Sequence, residues 1–102
     1  MIGAAAYPAH VRYDVEVSRE PGSEARRALR TQVREALAGG RRHIVIDCQA
    51  CLELDLPLLS VLVQCATECE ARGAEFEIAN LPSRIRASIE ALRLDQRLGL
   101  RH

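Results

Sequence analysis

The chain has no lysine and no tryptophan, one phenylalanine and two tyrosines, and its formal net charge is zero. So few rings leave little with which to stack on bases or sugars. A zero net charge removes any global attraction to nucleic acid or to an anionic membrane. No apolar run approaches the roughly 18 residues of a membrane span, so no membrane insertion is expected. The opening stretch, MIGAAAYPAH, lacks the basic start and apolar stretch of a secretory signal. A cytoplasmic setting is expected, in which four cysteines stay reduced. All 14 basic residues are arginine, read as genome composition bias rather than chemistry.

Catalytic patterns are also missing. The three histidines lie at positions 10, 43 and 102, none beside a nucleophile motif. Ala38-Gly39-Gly40 follows a helical pattern instead of opening one, so no phosphate cradle is formed there. No enzyme activity and no cofactor are expected.

At 102 residues the chain fits one domain, spanning 1–102, large enough to fold without staples. Val11, Tyr13, Val15 and Val17 alternate with charged residues, which predicts a strand with one buried face. Met1 to Ala6 is read as a short edge strand ended by Pro8. Glu20-Pro21-Gly22 is turn chemistry, and Ser23 is positioned to cap the next helix. In that helix Ala25, Leu29, Val33, Ala36 and Leu37 recur at helical spacing, and Gly39-Gly40 stops it. The run at 43–48 predicts a strand covered on both faces. A helix follows from about Leu56 to Arg72, ended by Gly73, then a strand over Glu75 to Ala79. Pro82 with Ser83 opens a short helix bearing Ile85, Ile89 and Leu92, and Leu98 to Leu100 closes the chain. Alternating elements of this kind predict an α/β fold with a mixed, mostly parallel sheet and helices packed against it.

The segment HIVIDCQACLELDLPLLSVL, His43 to Leu62, holds the most information. A buried strand ends at Asp47, a loop follows, and Asp55 sits where a helix N-cap belongs. Pro57 falls in the first turn, where its missing N–H costs little. This order resembles the STAS domain, the fold of bacterial anti-sigma-factor antagonists and of the cytoplasmic tails of sulphate transporters. Those domains read as apolar strand, Asp, short loop, Asp-Ser-Ser/Thr-Gly, then helix. Asp47 and Asp55 match the two acidic positions, whereas Leu56-Pro57-Leu58 replaces the Ser-Ser/Thr-Gly. In the family the second hydroxyl of that triplet is the phosphorylation switch. Pro57 has none, so no phosphorylation is expected at that position.

The resemblance implies the STAS fold and a partner docked through the start of this helix and the loop before it. By position the contact centres on Glu53, Asp55, Leu56, Pro57, Ser60, Val63 and Gln64. Leu58, Leu62, Cys65, Ala66 and Cys69 fall in one sector and should face the sheet. Ser60, Gln64, Thr67 and Ala71 lie opposite, flanked by Leu56 and Val63, a neutral strip without lysine or arginine that suits a protein contact. The implied role is signalling and transcription regulation: a non-catalytic module that binds an anti-sigma factor or serine-kinase-like protein. The alternative partner is the ATPase subunit of a phospholipid-transport complex, braced by a small STAS subunit. A homodimer is also open, and Ser60 is a conceivable substitute phosphosite.

Two other constellations compete. Cys48 and Cys51 form a C-x-x-C, and Cys65 and Cys69 lie one helical turn apart, a set that could in principle surround zinc or act in redox chemistry. Cys65 and Cys69 share a face with Leu58 and Leu62, however, and Cys48 ends a buried strand. Small core residues are the better reading, with no metal expected. The C-x-x-C also precedes its helix by several residues, so no helix end lowers a thiol pKa. Arg26, Arg30 and Arg34 recur every four residues, with Arg27, Arg41 and Arg42 nearby. This stripe reads as a solvated face, partly offset by Glu24 and Glu35, or as a contact for nucleic acid, lipid head groups or an acidic protein, with protein favoured over nucleic acid.

Overall fold

The computed structural model describes residues 11–100. Three strands alternate with three helices: β1 (Tyr13–Glu16), α1 (Ser23–Ala38), β2 (His43–Asp47), α2 (Leu56–Ala71), β3 (Glu75–Ala79) and α3 (Ser83–Ala91). The sheet runs β1-β2-β3 with both pairs parallel. The edge strand expected at Met1 to Ala6 lies outside the described residues.

Register explains which residues build the core. Val15 pairs with Ile46 and Ile46 with Ile78, so one pleat row is apolar across all three strands. Because side chains alternate along a strand, Tyr13, Val15, Ile44, Ile46, Phe76 and Ile78 share the inner face. The opposite face takes Asp14, Glu16, His43, Val45, Asp47, Glu75 and Glu77. Val45 is fully buried yet stands apart from the core cluster that holds Ile44 and Ile46. On that outer face His43 Nε2 lies 3.2 Å from a Glu77 carboxylate oxygen and 3.9 Å from one of Glu75.

Leu29, Val33 and Leu37 of α1 and Leu58, Leu59, Leu62, Cys65, Ala66 and Cys69 of α2 are buried against the inner face. Ala25, placed by its spacing on the buried side of α1, is exposed. The two helices pack side by side, and Arg34 Nε donates to both oxygens of Glu68, at 2.5 and 2.8 Å. Ile85 and Ile89 of α3, with Leu98 and Leu100 beyond it, complete the core.

The helix ends follow simple chemistry, with one departure. Ser23 does not cap α1: the N-cap is Gly22, whose carbonyl accepts from Arg26 N at 2.9 Å, and no side chain caps this end. Ser23 is instead the first helical residue, because the turn at Pro21 places the extended residue one position earlier. At the other ends, Gly40 (φ 94°) and Gly73 (φ 69°) adopt the left-handed conformation that lets the chain leave a helix. Beyond α3 that conformation falls to Arg93 (φ 60°).

Candidate functional site

Three connections leave the C-terminal ends of the strands, and backbone hydrogen bonds tie them together. Val17 N donates to Asp47 O at 3.0 Å, and Cys48 N to Ala79 O at 2.9 Å. The Asp47 side chain reinforces the junction: Oδ1 accepts from Gln49 N at 2.9 Å and from Asn80 Nδ2 at 3.2 Å. Those bonds, the backbone one first, hold its carboxyl below the ordinary value of 3.8, with Arg12 adding attraction. The first matched acid therefore organises the loop.

From this junction the chain crosses residues 48–55. Cys51 N closes a turn onto Cys48 O at 3.0 Å, and the Cys51 thiol donates to Glu53 O at 3.1 Å. Leu52 is held on both sides of its backbone: its N–H donates to Arg19 O at 3.3 Å, and Arg84 of α3 donates to its carbonyl. Its side chain remains 37% exposed. Asp55 then caps α2 as expected, Oδ1 accepting from Leu58 N at 3.0 Å, while its carbonyl accepts from Leu59 N at 2.9 Å. Pro57 has no N–H to offer. Of the three amides in the first turn, one is capped and one is absent, so this helix end has little left for an anion.

What the end presents is apolar. Leu56 is 75% exposed, and Pro57 and Leu52 are exposed beside it. Glu53, Asp55, Ser60 and Gln64 are also exposed, whereas Val63 is half-buried and packs on the core. The structure thus places six of the seven sequence-predicted contact residues at the surface. Leu52 and Arg84 join this region without having been anticipated; no spacing rule relates residue 84 to residue 52. A neighbouring cleft of about 320 Å³ is lined by Glu16, Asp47 and Gln49 among others. Among the described residues its lining carries two carboxylates and no guanidinium, which disfavours phosphate.

The strip along α2 differs from expectation at its far end. Thr67 Oγ1 donates to Val63 O at 2.9 Å and accepts from Arg97 Nη2 at 2.8 Å. The helix lacks arginine on this face, but the C-terminal segment supplies one. The arginine stripe of α1 is likewise partly engaged: Arg34 with Glu68, and Arg26 with the Pro21 carbonyl at 2.9 Å.

All four cysteines are buried free thiols. Burial, the largest cause in each case, pushes Cys48 and Cys65 up to about 12 and Cys69 to about 11, and raises Cys51 as well. Thiols held so far from ionisation are poor nucleophiles. Among the described residues no group of three or more His, Cys, Asp or Glu side chains is placed to hold a metal ion. No helix among them is long and apolar enough to cross a membrane.

The domain is thus α/β, a parallel three-stranded sheet with helices packed against it, and its strand-end connections meet near one capped helix start. A family model described as Mlab, STAS domain, matches residues 10–101. The chain belongs to the STAS domain family, whose members are in general regulatory, protein-binding modules. No curated protein matches it.

Proposed function

We propose that this chain is a non-catalytic module that binds a partner protein through the start of α2 and the loop before it. No phosphate switch operates at the family's usual position. The supporting observation is the pairing of a satisfied helix end with an exposed apolar tip. Asp55 caps Leu58, Pro57 removes a donor, and Leu56 stands 75% exposed above them. Such an end is matched to an apolar protein surface, not to an anion. Leu52, whose backbone is fixed through both its N–H and its carbonyl, adds an exposed apolar side chain to the loop before α2.

Two partner classes follow from the family. Antagonists that bind an anti-sigma factor or its kinase need a release signal, supplied in the family by adding nearly two negative charges at the helix start. Pro57 cannot receive them. A subunit that braces an ATPase needs no release, and the permanently apolar tip favours that reading; a phosphate-insensitive anti-sigma antagonist is the second.

Titration calorimetry with a purified ATPase subunit and a purified anti-sigma kinase from the same genome separates the two. Leu56→Asp should weaken binding to the true partner by about ten- to a hundredfold, the equivalent of one buried leucine. It should do so without lowering the melting temperature. Unchanged affinity would remove the apolar tip from the interface. Phosphate found on residues 43–72 by mass spectrometry after incubation with the kinase and ATP would end the unswitched reading.

A further inference from the structure

A second site lies at the opposite end of α2, roughly 20 Å along the helix from Asp55. There the last turns of α2, the start of β3 and the segment after α3 enclose an open cleft of about 540 Å³. Thr67, Glu70, Phe76, Arg93, Gln96 and Arg97 line it. The volume suits a small metabolite or a lipid headgroup.

Two features set this cleft apart from ordinary surface. The first is Arg93, which holds φ at 60°, in the left-handed region. At the corresponding exits of α1 and α2 the chain uses Gly40 and Gly73. A glycine would relieve the strain after α3 as well, yet an arginine stands there, among the residues that line the cleft. The second is Arg97. Its Nη2 donates to Thr67 Oγ1 at 2.8 Å, and the Thr67 proton is directed to Val63 O, so the hydroxyl can only accept. The guanidinium is thereby positioned by a neutral group. Among the described residues neither Arg93 nor Arg97 has a carboxylate within ion-pair distance.

We propose that this cleft binds a phosphate group, shared between the guanidinium groups of Arg93 and Arg97. A carboxylate can be satisfied by one bidentate arginine, whereas a phosphate has oxygens enough for two. Glu70 lines the same cleft and adds an acceptor, so the preferred ligand presents a hydroxyl or ammonium group beside its phosphate, as a glycerol phosphate or an amino-alcohol phosphate does. This inference is independent of the partner-binding reading, since the two sites occupy opposite ends of α2.

The test is a two-dimensional NMR titration of the isotope-labelled full chain at constant ionic strength, with inorganic phosphate, glycerol 3-phosphate and acetate as probes. Saturable shifts are expected at the amides of Thr67, Gln96 and Gly99 for the phosphates and not for acetate. Arg97→Gln should weaken glycerol 3-phosphate by about tenfold, the loss of one charge-assisted bond. Arg93→Gly should weaken it similarly while leaving the fold intact, because glycine suits that φ. Glu70→Gln should tighten inorganic phosphate several-fold by removing a negative charge that lines the cleft. Co-sedimentation with vesicles containing phosphatidic acid assigns the source. Binding lost in Arg93→Gly identifies a lipid headgroup, and no sedimentation alongside a positive titration identifies a soluble ester. The inference is overturned by shifts centred on Arg26 and Arg27, by equal shifts with acetate, by affinities unmoved in both arginine variants, or by no saturable shift and no vesicle binding.

Discussion

Replacing Asp55 by alanine tests whether the start of α2 is built as described. Oδ1 of Asp55 is the acceptor for Leu58 N at 3.0 Å, and Pro57 contributes no donor, so this one carboxylate supplies the side-chain capping of the first turn. Losing such a cap costs about 1 kcal/mol, within a range of roughly 0.5–2 kcal/mol. For a domain of this length that corresponds to a fall in melting temperature of about 4–8 °C. Asp55→Asn keeps an acceptor oxygen and forfeits only the attraction between charge and helix dipole, about 0.3–1 kcal/mol at an exposed site. Asn should therefore sit between wild type and Ala. Urea unfolding at neutral pH, followed by far-ultraviolet circular dichroism, measures both, with the denaturant slope unchanged if only the folded state is affected. An Ala variant less than about 0.5 kcal/mol below wild type, or an Asn variant no better than Ala, would show that the hydrogen bond does not hold the turn.

Gly99 has φ 68°, and a Cβ there would lie 2.7 Å from the Phe76 carbonyl oxygen, so Gly99→Ala should destabilise by about 1–3 kcal/mol in the same urea assay. Arg93→Gly should instead stabilise by about 0.5–1 kcal/mol, the relief of a left-handed arginine offset partly by the flexibility of glycine. Asp47 is held below 3.8, so its contribution is fully present above that value and is lost as pH falls through the lower folded-state value. Stability measured from pH 5 downward should thus decline more steeply in wild type than in Asp47→Asn. With Cys48, Cys65 and Cys69 pushed to about 11 or 12, an aromatic disulfide reagent at mildly alkaline pH should label the native protein only as fast as it opens, and all four thiols at once in denaturant.

Local signals in the sequence were strong wherever the physics is local. The β-branched run at Ile44-Val45-Ile46 became a central strand, and Asp55 followed by Pro57 marked a helix start because capping involves only adjacent residues. The buried sector of α2 was readable from its 3.6-residue period. Ser23 misled because Ser at that position has the right chemistry, but the Pro21 turn moved the cap to Gly22, whose backbone needs no side chain. Leu52 could not be recognised as part of the surface patch, since its placement depends on Arg19 and Arg84 from other connections. For the same reason α2 looked free of cationic neighbours. Arg97 reaches Thr67 across 30 residues, and only the path of the chain after α3 brings them together.

Gly99 has one more consequence. Its backbone runs close enough to β3 that an added Cβ would meet the Phe76 carbonyl oxygen, and Leu98 and Leu100 are buried to either side of it. That flank of the sheet is stoppered, because a strand arriving there would first have to pull two anchored leucines out of the core. Among the described strands, β1 alone has a neighbour on one side only and no such plug. A strand adding beside β3 would meet this obstacle at Phe76, which has no counterpart beside β1 among the described residues.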